Sequence, residues 1–182
     1  MHSSGLANAL QAYHAGGGHL FGICGGMQML GQELEDPHGL EGGAPLNDNH
    51  RHIGLGLLPL RTVFTDNKAL RQRRSAARWP QGNTPLQLEG FELHCGRTRA
   101  TVPCQQLCGE AELGWVKHGD DGGVVAGTYL HGVFESGPWR RRWLNQLRAI
   151  KGLPLLTEQQ PHHNRQREAL LDRLADAFKE HI

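Results

Sequence analysis

A cysteine placed between a short apolar run and two glycines constrains the fold of this chain more than any other feature. Residues 20–23 are apolar enough for a buried strand, Cys24 and two glycines follow, and an amphipathic stretch occupies residues 27–34. This order predicts a strand, a sharp turn and a helix. A thiol on such a turn stands clear of the backbone, and N–H groups at a helix N-terminus favour its thiolate form. The alternative is a buried structural cysteine in a glycine-rich loop.

The bulk composition is that of an ordinary globular protein and argues against several function classes. The chain has 182 residues, 38% hydrophobic and 20% charged, which suits one domain over residues 1–182 with a sizeable core. A net charge of +1 gives no overall field that would favour nucleic acid or an anionic membrane. No apolar run reaches the length of a membrane span and the N-terminus does not resemble a signal peptide, so a cytoplasmic location is expected. Four cysteines in a chain of this length do not indicate a disulfide scaffold.

Apolar periodicity and turn residues predict strands that alternate with helices, and therefore a layered α/β domain. Helices are predicted from about residue 6 to the glycines at 16–18, and at about 25–34, 136–150 and 165–179. Strands are predicted at 19–23, within 53–64, and at 86–93, 115–116 and 124–130, with a hairpin turn at 120–123. Residues 36–52 are predicted to be a loop, and residues 65–85 to be the least structured stretch.

A run of basic residues overlaps the stretch predicted to be least structured. Asp66 is the one acidic residue within it, and its members are Arg61, Lys68, Arg71, Arg73, Arg74 and Arg78. A solvated surface loop is the first interpretation of this run. The alternative is a patch that receives an acidic partner or substrate.

A thiol nucleophile needs a base, which need not be near it in sequence. Composition cannot choose one, because the chain has 12 histidines. His131 directly follows the predicted strand 124–130, and functional groups of α/β proteins collect at the carboxyl ends of strands, where Cys24 is also expected. We therefore predict His131 as the base, with His94, which follows the strand 86–93, as the second candidate.

Three segments together resemble the glutamine amidotransferase domain of cobyric acid synthases. They are GICGGMQMLG at residues 22–31, GFELHCGRT at 90–98 and GTYLHGVF at 127–134, and residues 171–176 (LDRLAD) resemble the C-terminal helix of that family. The resemblance spans nearly the whole chain, and the three segments occur in the order of the family. It implies a three-layer, flavodoxin-like fold with a mostly parallel sheet, of which the first strands are missing from this chain.

The resemblance also implies a reaction and a role for particular residues. Cys24 would attack the γ-carboxamide of glutamine, and His131 would protonate the departing ammonia and later activate water against the thioester. Gly25, the residue after the nucleophile, would supply one backbone donor of the oxyanion hole. Arg97 would hold the α-carboxylate of glutamine. Gln28 and Glu92 are further substrate-binding candidates, whose alternatives are a helix-surface amide and a charge at a strand edge.

Two departures from the pattern qualify this resemblance. Many amidotransferases of the wider class carry a glutamate two residues after the histidine, but Val133 occupies that position here, as in the cobyric acid synthase branch, so a Cys–His dyad is expected. Glu135 is a possible orienting group for His131. The first strands and the glycine-rich loop that supplies the second oxyanion donor are expected to precede this segment, and losing one such donor costs on the order of 3 kcal/mol. A fragment without them is expected to be poorly soluble or nearly inactive.

The family also implies partners for this segment and no cofactor within it. An ATP-dependent synthetase domain, encoded upstream in the same gene or supplied as a separate chain, would use ATP and Mg²⁺. It would use the ammonia to amidate side-chain carboxylates of a corrin ring, adenosylcobyrinate a,c-diamide, in cobalamin biosynthesis. No nucleic acid or membrane partner is expected.

Three other interpretations stay open from the sequence alone. Another Cys–His amidotransferase, such as cobyrinate a,c-diamide synthase or one that amidates a peptidoglycan precursor, would share the same motifs. An inactive remnant would keep Cys24 and His131 without a competent oxyanion hole. A zinc module would use soft ligands, of which the chain offers His94, Cys95, Cys104 and Cys108, but only one pair has the spacing of a zinc knuckle.

Overall fold

The structure is a computed structural model that describes residues 5–40 and 50–180. Its helices are α1 (Leu6–Ala15), α2 (Gly25–Leu30), α3 (Gly137–Ile150) and α4 (His163–Glu180), with a short 3-10 helix at Val133–Glu135. Its strands are β1 (Leu20–Ile23), β2 (Glu33–Glu35), β3 (Arg51–Ile53), β4 (Leu60–Ala76), β5 (Gln87–Ala100), β6 (Gln105–Gln106), β7 (Gly114–His118), β8 (Val124–Thr128) and β9 (Leu130–His131). The α/β class predicted from the sequence is confirmed.

The strands form two mixed sheets. The first sheet has the order β1-β8-β7-β6, and the second has the order β3-β2-β4-β5-β9. Within the described residues, the parallel pairs are β1 with β8 and β2 with β4, and the other pairs are antiparallel. The expectation of a mostly parallel sheet is therefore wrong in this respect. Hairpin connections account for the difference, since the tight turn after His118 can join β7 to β8 only in the antiparallel sense.

Helices cover both faces of the first sheet at β1. Phe21 meets the rings of Trp139 and Trp143 on α3, with centroids 5.8 and 6.1 Å apart. On the opposite face, a Cβ added to Gly22 would lie 2.5 Å from the backbone nitrogen of Met27 on α2. Since successive residues of a strand point to opposite faces, α2 and α3 sandwich the sheet and agree with the three layers that the resemblance implies.

Helix α2 is shorter than its apolar pattern predicts. It ends at Leu30 instead of at about residue 34, because Gly31 adopts an extended conformation (φ −67°, ψ −178°). Glu33–Glu35 then pairs with β3 on one side and with β4 on the other. Sheet pairing with distant residues therefore overrides the local helical periodicity. Leu34 fits the helical spacing of apolar residues, but it lies in β2.

The prediction that residues 65–85 are the least structured stretch is wrong for its first half. Strand β4 continues to Ala76 and pairs along its length with β5, with one irregularity between Phe64 and Ala69. Most side chains of this part of β4 are exposed, so no apolar alternation marks it as a strand. The basic run is therefore carried largely by a two-stranded ribbon, where Arg73 pairs with Glu92 and Glu110.

The remaining sequence predictions agree with the structure in most places. Helices α1, α3 and α4, the strand that ends at Ile23 and the strand at 115–116 are confirmed within a few residues. The predicted strand 86–93 begins as expected but continues to Ala100, so His94 lies within β5 and not after it. The predicted strand 124–130 is divided, because Leu130–His131 leaves the first sheet and pairs with β5. In the predicted loop 36–52, Arg51 and His52 belong to β3, and residues 41–49 lie outside the described residues.

Two further observations concern the described residues as a whole. No helix among them is both long and apolar enough to cross a membrane. No group of three or more His, Cys, Asp or Glu side chains among them is arranged to hold a metal ion, so His94, Cys95, Cys104 and Cys108 do not form the zinc site considered above.

Candidate active site

Cys24 occupies a strained backbone conformation at the junction of β1 and α2. Its φ of 52° and ψ of −115° lie in a region that residues other than glycine rarely adopt. Its N–H donates a hydrogen bond of 2.8 Å to the carbonyl of Thr128, and its own carbonyl accepts one of 3.1 Å from Gln28. These bonds continue the β1–β8 ladder on one side and begin the helix on the other. The predicted strand, turn and helix therefore meet at Cys24.

The turn at Cys24 is closely packed at Gly22 and open to its surroundings at Gly25 and Gly26. A Cβ on Gly22 would collide with the backbone of Gly26 and Met27, so only glycine allows α2 to pass this close to β1. Nothing lies within 4 Å of the position that a Cβ of Gly25 or Gly26 would take. A small molecule therefore has room to approach the backbone N–H of Gly25 from the outer side of the turn.

The Cys24 thiol contacts the second sheet. Its Sγ donates a hydrogen bond to the backbone carbonyl of Leu93 at 3.4 Å, joining residues 69 positions apart. Leu93 lies in β5, one residue beyond the last pair that β5 makes with β9. The thiol therefore lies where the two sheets meet.

His131 also contacts β5, the strand that contains Leu93. After β8 ends at Thr128, the chain crosses to the second sheet, where His131 pairs with Phe91 of β5. The two rings stack with centroids 4.8 Å apart and planes within 8° of each other. His131 Nε2 is buried and has no hydrogen-bond partner among the described residues. A buried, unpartnered ring nitrogen is available to accept or deliver a proton.

Two of the predicted site residues line one cavity. Glu92 and Arg97 border a space of about 310 Å³ on the β4–β5 ribbon, together with His94 and Tyr129. Arg97 is exposed, and within residues 5–40 and 50–180 no carboxylate lies within ion-pair distance of its guanidinium. An unpaired guanidinium at a cavity wall suits the carboxylate of an incoming ligand.

Glu92 is held by two charge-assisted hydrogen bonds. It accepts one from Arg73 Nε at 2.6 Å and one from His94 Nε2 at 2.7 Å. Burial alone raises the pKa of this carboxyl, but the hydrogen bonds from His94 and Arg73 outweigh burial, so its pKa lies below the usual value of 4.5. Glu92 is therefore ionised at neutral pH, with both of its oxygens engaged.

Gln28 points into a buried network of hydroxyl groups. Its Nε2 donates to the Tyr129 hydroxyl at 2.9 Å, and that hydroxyl also shares a proton with Thr98 Oγ1 at 2.5 Å. Burial raises the pKa of Tyr129, although the bonds to Thr98 and Gln28 act in the opposite direction. Contact between Gln28 and a substrate stays a prediction, since the nitrogen of its amide already bonds to Tyr129.

His131 borders a second cavity, of about 410 Å³, together with Glu135. Glu135 ends the short helix that follows His131, and its N–H bonds to the carbonyl of Gly132. Neither the first cavity nor the second includes Cys24 in its lining. The structure thus connects Cys24, Glu92 and His131 through β5.

Sequence reasoning missed two members of this arrangement. Tyr129 connects Gln28 to Thr98 and stacks on the ring of His94, with centroids 3.5 Å apart. Leu93 contributes a backbone carbonyl, which no side-chain motif can reveal. Tyr129 could have been noticed, because it lies within the segment 127–134 and a buried tyrosine needs a partner for its hydroxyl.

An α/β fold with a cysteine on a strained turn between a strand and a helix is consistent with a glutamine amidotransferase domain. Residues 1–139 match the family described as CobB/CobQ-like glutamine amidotransferase domain, and the chain belongs to that family.

Similar curated proteins are about three times as long as this chain. A cobyric acid synthase of Synechococcus sp. (strain CC9311) is 70% identical over 184 residues, which cover 99% of this chain and 36% of that protein. A cobyric acid synthase of Synechococcus sp. (strain WH7803) is 63% identical, with 100% of this chain and 37% of that protein covered. A cobyric acid synthase of Nostoc sp. (strain PCC 7120 / SAG 25.82 / UTEX 2576) is 43% identical, with 100% and 36% covered. The chain therefore spans a little over a third of these relatives.

Proposed function

We propose that this chain is the glutamine-hydrolysing part of a cobyric acid synthase. The observation that carries the proposal is the backbone of Cys24, which is strained at φ 52° and followed by a glycine with open space in front of it. The family and the names of the relatives support the choice of glutamine as the source of nitrogen.

The reaction begins when the Cys24 thiol gives its proton to His131, and the resulting thiolate attacks the γ-carboxamide carbon of glutamine. The carbonyl oxygen becomes an oxyanion that accepts a hydrogen bond from the Gly25 N–H. When the tetrahedral intermediate collapses, the C–N bond breaks and His131 returns the proton to the leaving nitrogen, which departs as ammonia. A γ-glutamyl thioester remains on Cys24. His131 then deprotonates a water molecule that attacks the thioester, and glutamate leaves.

Substrate binding is assigned to Arg97, whose guanidinium would hold the α-carboxylate of glutamine. Gln28 is a further candidate for contact with substrate. The sequence also predicted substrate contact for Glu92, but Arg73 and His94 engage both of its oxygens, which favours a supporting role for this carboxylate. The ammonia would pass to an ATP- and Mg²⁺-dependent synthetase part, which activates side-chain carboxylates of the corrin adenosylcobyrinate a,c-diamide for amidation in cobalamin biosynthesis. We propose that the remaining two-thirds of the relatives' length contains that part.

A glutamine analogue with an electrophilic carbon tests the proposal on this chain. 6-Diazo-5-oxonorleucine should modify Cys24 with saturation kinetics, read by intact mass and peptide mapping, and Cys24→Ala should abolish the modification. Cys104→Ala is a matched control, because Cys104 is also a half-buried thiol that donates to a backbone carbonyl at 3.4 Å. It should be labelled like the wild type.

Two further variants separate chemistry from binding. His131→Asn should lower the maximal labelling rate at least about 100-fold, the usual contribution of a general acid–base group. Arg97→Gln should raise the concentration of analogue needed for half-maximal labelling. A wild-type chain that resists the analogue while iodoacetamide still alkylates Cys24 would contradict the proposal and favour an inactive remnant.

A further inference from the structure

We infer that Glu92 and His94 position the Cys24 thiol by fixing the Leu93 carbonyl that accepts its hydrogen bond. The two side chains flank Leu93 on β5, and each is held by hydrogen bonds to other residues. They are positioning residues that act through the strand. The inference rests on the proposed function only for its readouts with a glutamine analogue.

The first argument is a chain of side-chain hydrogen bonds along β5. Glu92 Oε1 accepts a bond from His94 Nε2 at 2.7 Å, and His94 Nδ1 donates to the carbonyl of Gly96 at 2.6 Å. Three alternate residues of one strand are thereby tied together. Leu93 lies between the first two of them, so its peptide groups cannot rotate without breaking these bonds.

The second argument is that regular sheet pairing is interrupted next to Leu93, although Leu93 itself pairs with Leu70 of β4. On one side, pairing with β9 ends at Glu92, one residue before Leu93. On the other side, the register with β4 shifts between Phe64 and Ala69, opposite residues 94–96. A bulge of this kind removes regular ladder bonds. The Glu92–His94 bonds replace part of that restraint next to the carbonyl that Cys24 uses.

The third argument is that both residues are anchored to other elements. Arg73 of β4 holds Glu92, and the His94 ring stacks on Tyr129 with planes 14° apart. The Tyr129 hydroxyl accepts a hydrogen bond from Gln28, which lies on α2, the helix that begins directly after Cys24. Tyr129 and Gln28 thereby connect His94 to the helix that begins directly after Cys24.

The hydrogen-bond partners of His94 also exclude it as the base in this geometry. Each of its ring nitrogens faces an acceptor, the carboxylate of Glu92 or the carbonyl of Gly96. A ring nitrogen that donates to either acceptor has no lone pair to offer as a base. A positioning role is consistent with this arrangement, whereas proton abstraction from Cys24 is not.

The consequence is a fixed direction for the sulfur atom. Without its acceptor, the Cys24 side chain would populate other staggered rotamers, and fewer molecules would present the sulfur toward a bound carboxamide. Binding of the ligand would not change, because Leu93 contributes a backbone atom to the thiol and not to the ligand. A loss of restraint should therefore appear in the rate of reaction of the bound complex.

Glu92→Gln and His94→Phe test the inference in this chain. The first keeps the shape of residue 92 but removes its charge, and the second keeps a flat ring over Tyr129 but removes both N–H donors. Each should lower the maximal rate of Cys24 labelling by 6-diazo-5-oxonorleucine about tenfold. The half-saturating concentration and the rate of alkylation by iodoacetamide should stay within about twofold of wild type.

Glu89→Gln is the matched control, because it makes the same chemical change on the same strand in an ion pair whose side chains are 72% and 54% exposed. It should label like the wild type. Thermal unfolding should show that each variant is folded, and Arg73→Met, which removes the other partner of Glu92, replaces Glu92→Gln if that variant is not. The ¹⁵N chemical shift of His94 Nε2 should change in Glu92→Gln and stay unchanged in Glu89→Gln, because the first variant alters its hydrogen-bond partner.

Three results would overturn the inference. These are unchanged maximal labelling rates in the folded variants, a rise in the half-saturating concentration alone, which would make Glu92 a ligand-binding residue, or an Nε2 signal of His94 that does not respond to Glu92→Gln. Failure of the proposed function is a distinct outcome. In that case the wild-type chain would resist the glutamine analogue, and the His94 spectrum would still decide whether the hydrogen bonds along β5 exist.

Discussion

The imidazole ring of His131 lies flat against the phenyl ring of Phe91, with ring centroids 4.8 Å apart. The two residues face each other across the pairing of β5 with β9. This contact sets the plane of the imidazole, since Nε2 has no hydrogen-bond partner among the described residues to orient it.

Phe91→Ala should therefore impair the proposed reaction more than it impairs folding. Stacked aromatic pairs contribute about 0.5–1.5 kcal/mol beyond burial, and Phe91 is 39% exposed, so the free energy of unfolding should fall by only about 1 kcal/mol. The labelling rate with the glutamine analogue should fall about three- to tenfold, because the ring of His131 samples more orientations. Phe178→Ala, on the exposed α4, is the control. Equal labelling rates in the two variants would show that the stack does not orient His131.

Gly22→Ala should destabilise the protein more than Gly127→Ala, although both glycines face Met27. The added Cβ of residue 22 would lie 2.5 Å from the backbone nitrogen of Met27, whereas that of residue 127 would meet the side-chain Cγ of Met27 at 2.4 Å. Rotation of the Met27 side chain relieves its Cγ contact and leaves its Cβ as the closest atom at 2.8 Å, whereas the closest contacts at residue 22 are all with backbone atoms of Gly26 and Met27. We expect a cost of about 3 kcal/mol for the first change and about 1 kcal/mol for the second, measured by urea denaturation. The reverse order would mean that α2 adjusts more easily than the side chain.

Stability should fall as the pH drops below the usual pKa of His19. Burial lowers the pKa of this histidine from 6.5, and the neighbouring His14 and His118 lower it further. The unfolded chain therefore binds a proton at a higher pH than the folded chain, so stability is complete above pH 6.5 and declines toward the folded pKa. Urea denaturation between about pH 7.5 and about pH 5.5 should show this decline in the wild type and less of it in His19→Asn.

His163→Asn, at the exposed start of α4, should keep the wild-type pH dependence and serves as the control. Glu92 adds a separate loss at lower pH, because its pKa is lowered from 4.5 and its contribution disappears as the carboxyl is protonated. A His19→Asn variant with the same slope as wild type near pH 6 would assign the decline to other groups.

Removal of Glu158 should cost more stability than replacement of its partner Arg142. Arg142 is 5% exposed and donates to both oxygens of Glu158 and to Thr84, which joins α3 to two loops. Glu158→Gln leaves a buried guanidinium without its counter-charge, at a cost of about 2–3 kcal/mol, since Glu158 is itself partly exposed. Arg142→Met removes the charge and fills similar volume, so its cost should be smaller. Chemical denaturation of both variants measures the difference, and equal costs would show that the hydrogen bond to Thr84 matters as much as the ion pair.

The sequence predicted the structure well wherever local pattern and tertiary packing agree. The strand, turn and helix at Cys24 follow from an apolar run, two glycines and an amphipathic segment, which each favour the same local conformation. The end of α2 and the length of β4 were not predictable in this way. Leu34 continues a helical pattern that sheet pairing interrupts, and β4 exposes most of its side chains beyond Phe64, so it carries no alternation to detect.

By itself, the sequence determined that this chain is an α/β protein with a thiol presented on a tight turn, because turn formation depends on a few neighbouring residues and on the absence of side chains at glycine. Only the tertiary structure decided what surrounds that thiol. The bond from Cys24 to the Leu93 carbonyl, the bond from Arg73 to Glu92 and the stack of His131 on Phe91 join residues from separate elements. Their proximity results from the crossing of the chain from one sheet to the other after Thr128, and from a register that no local pattern encodes.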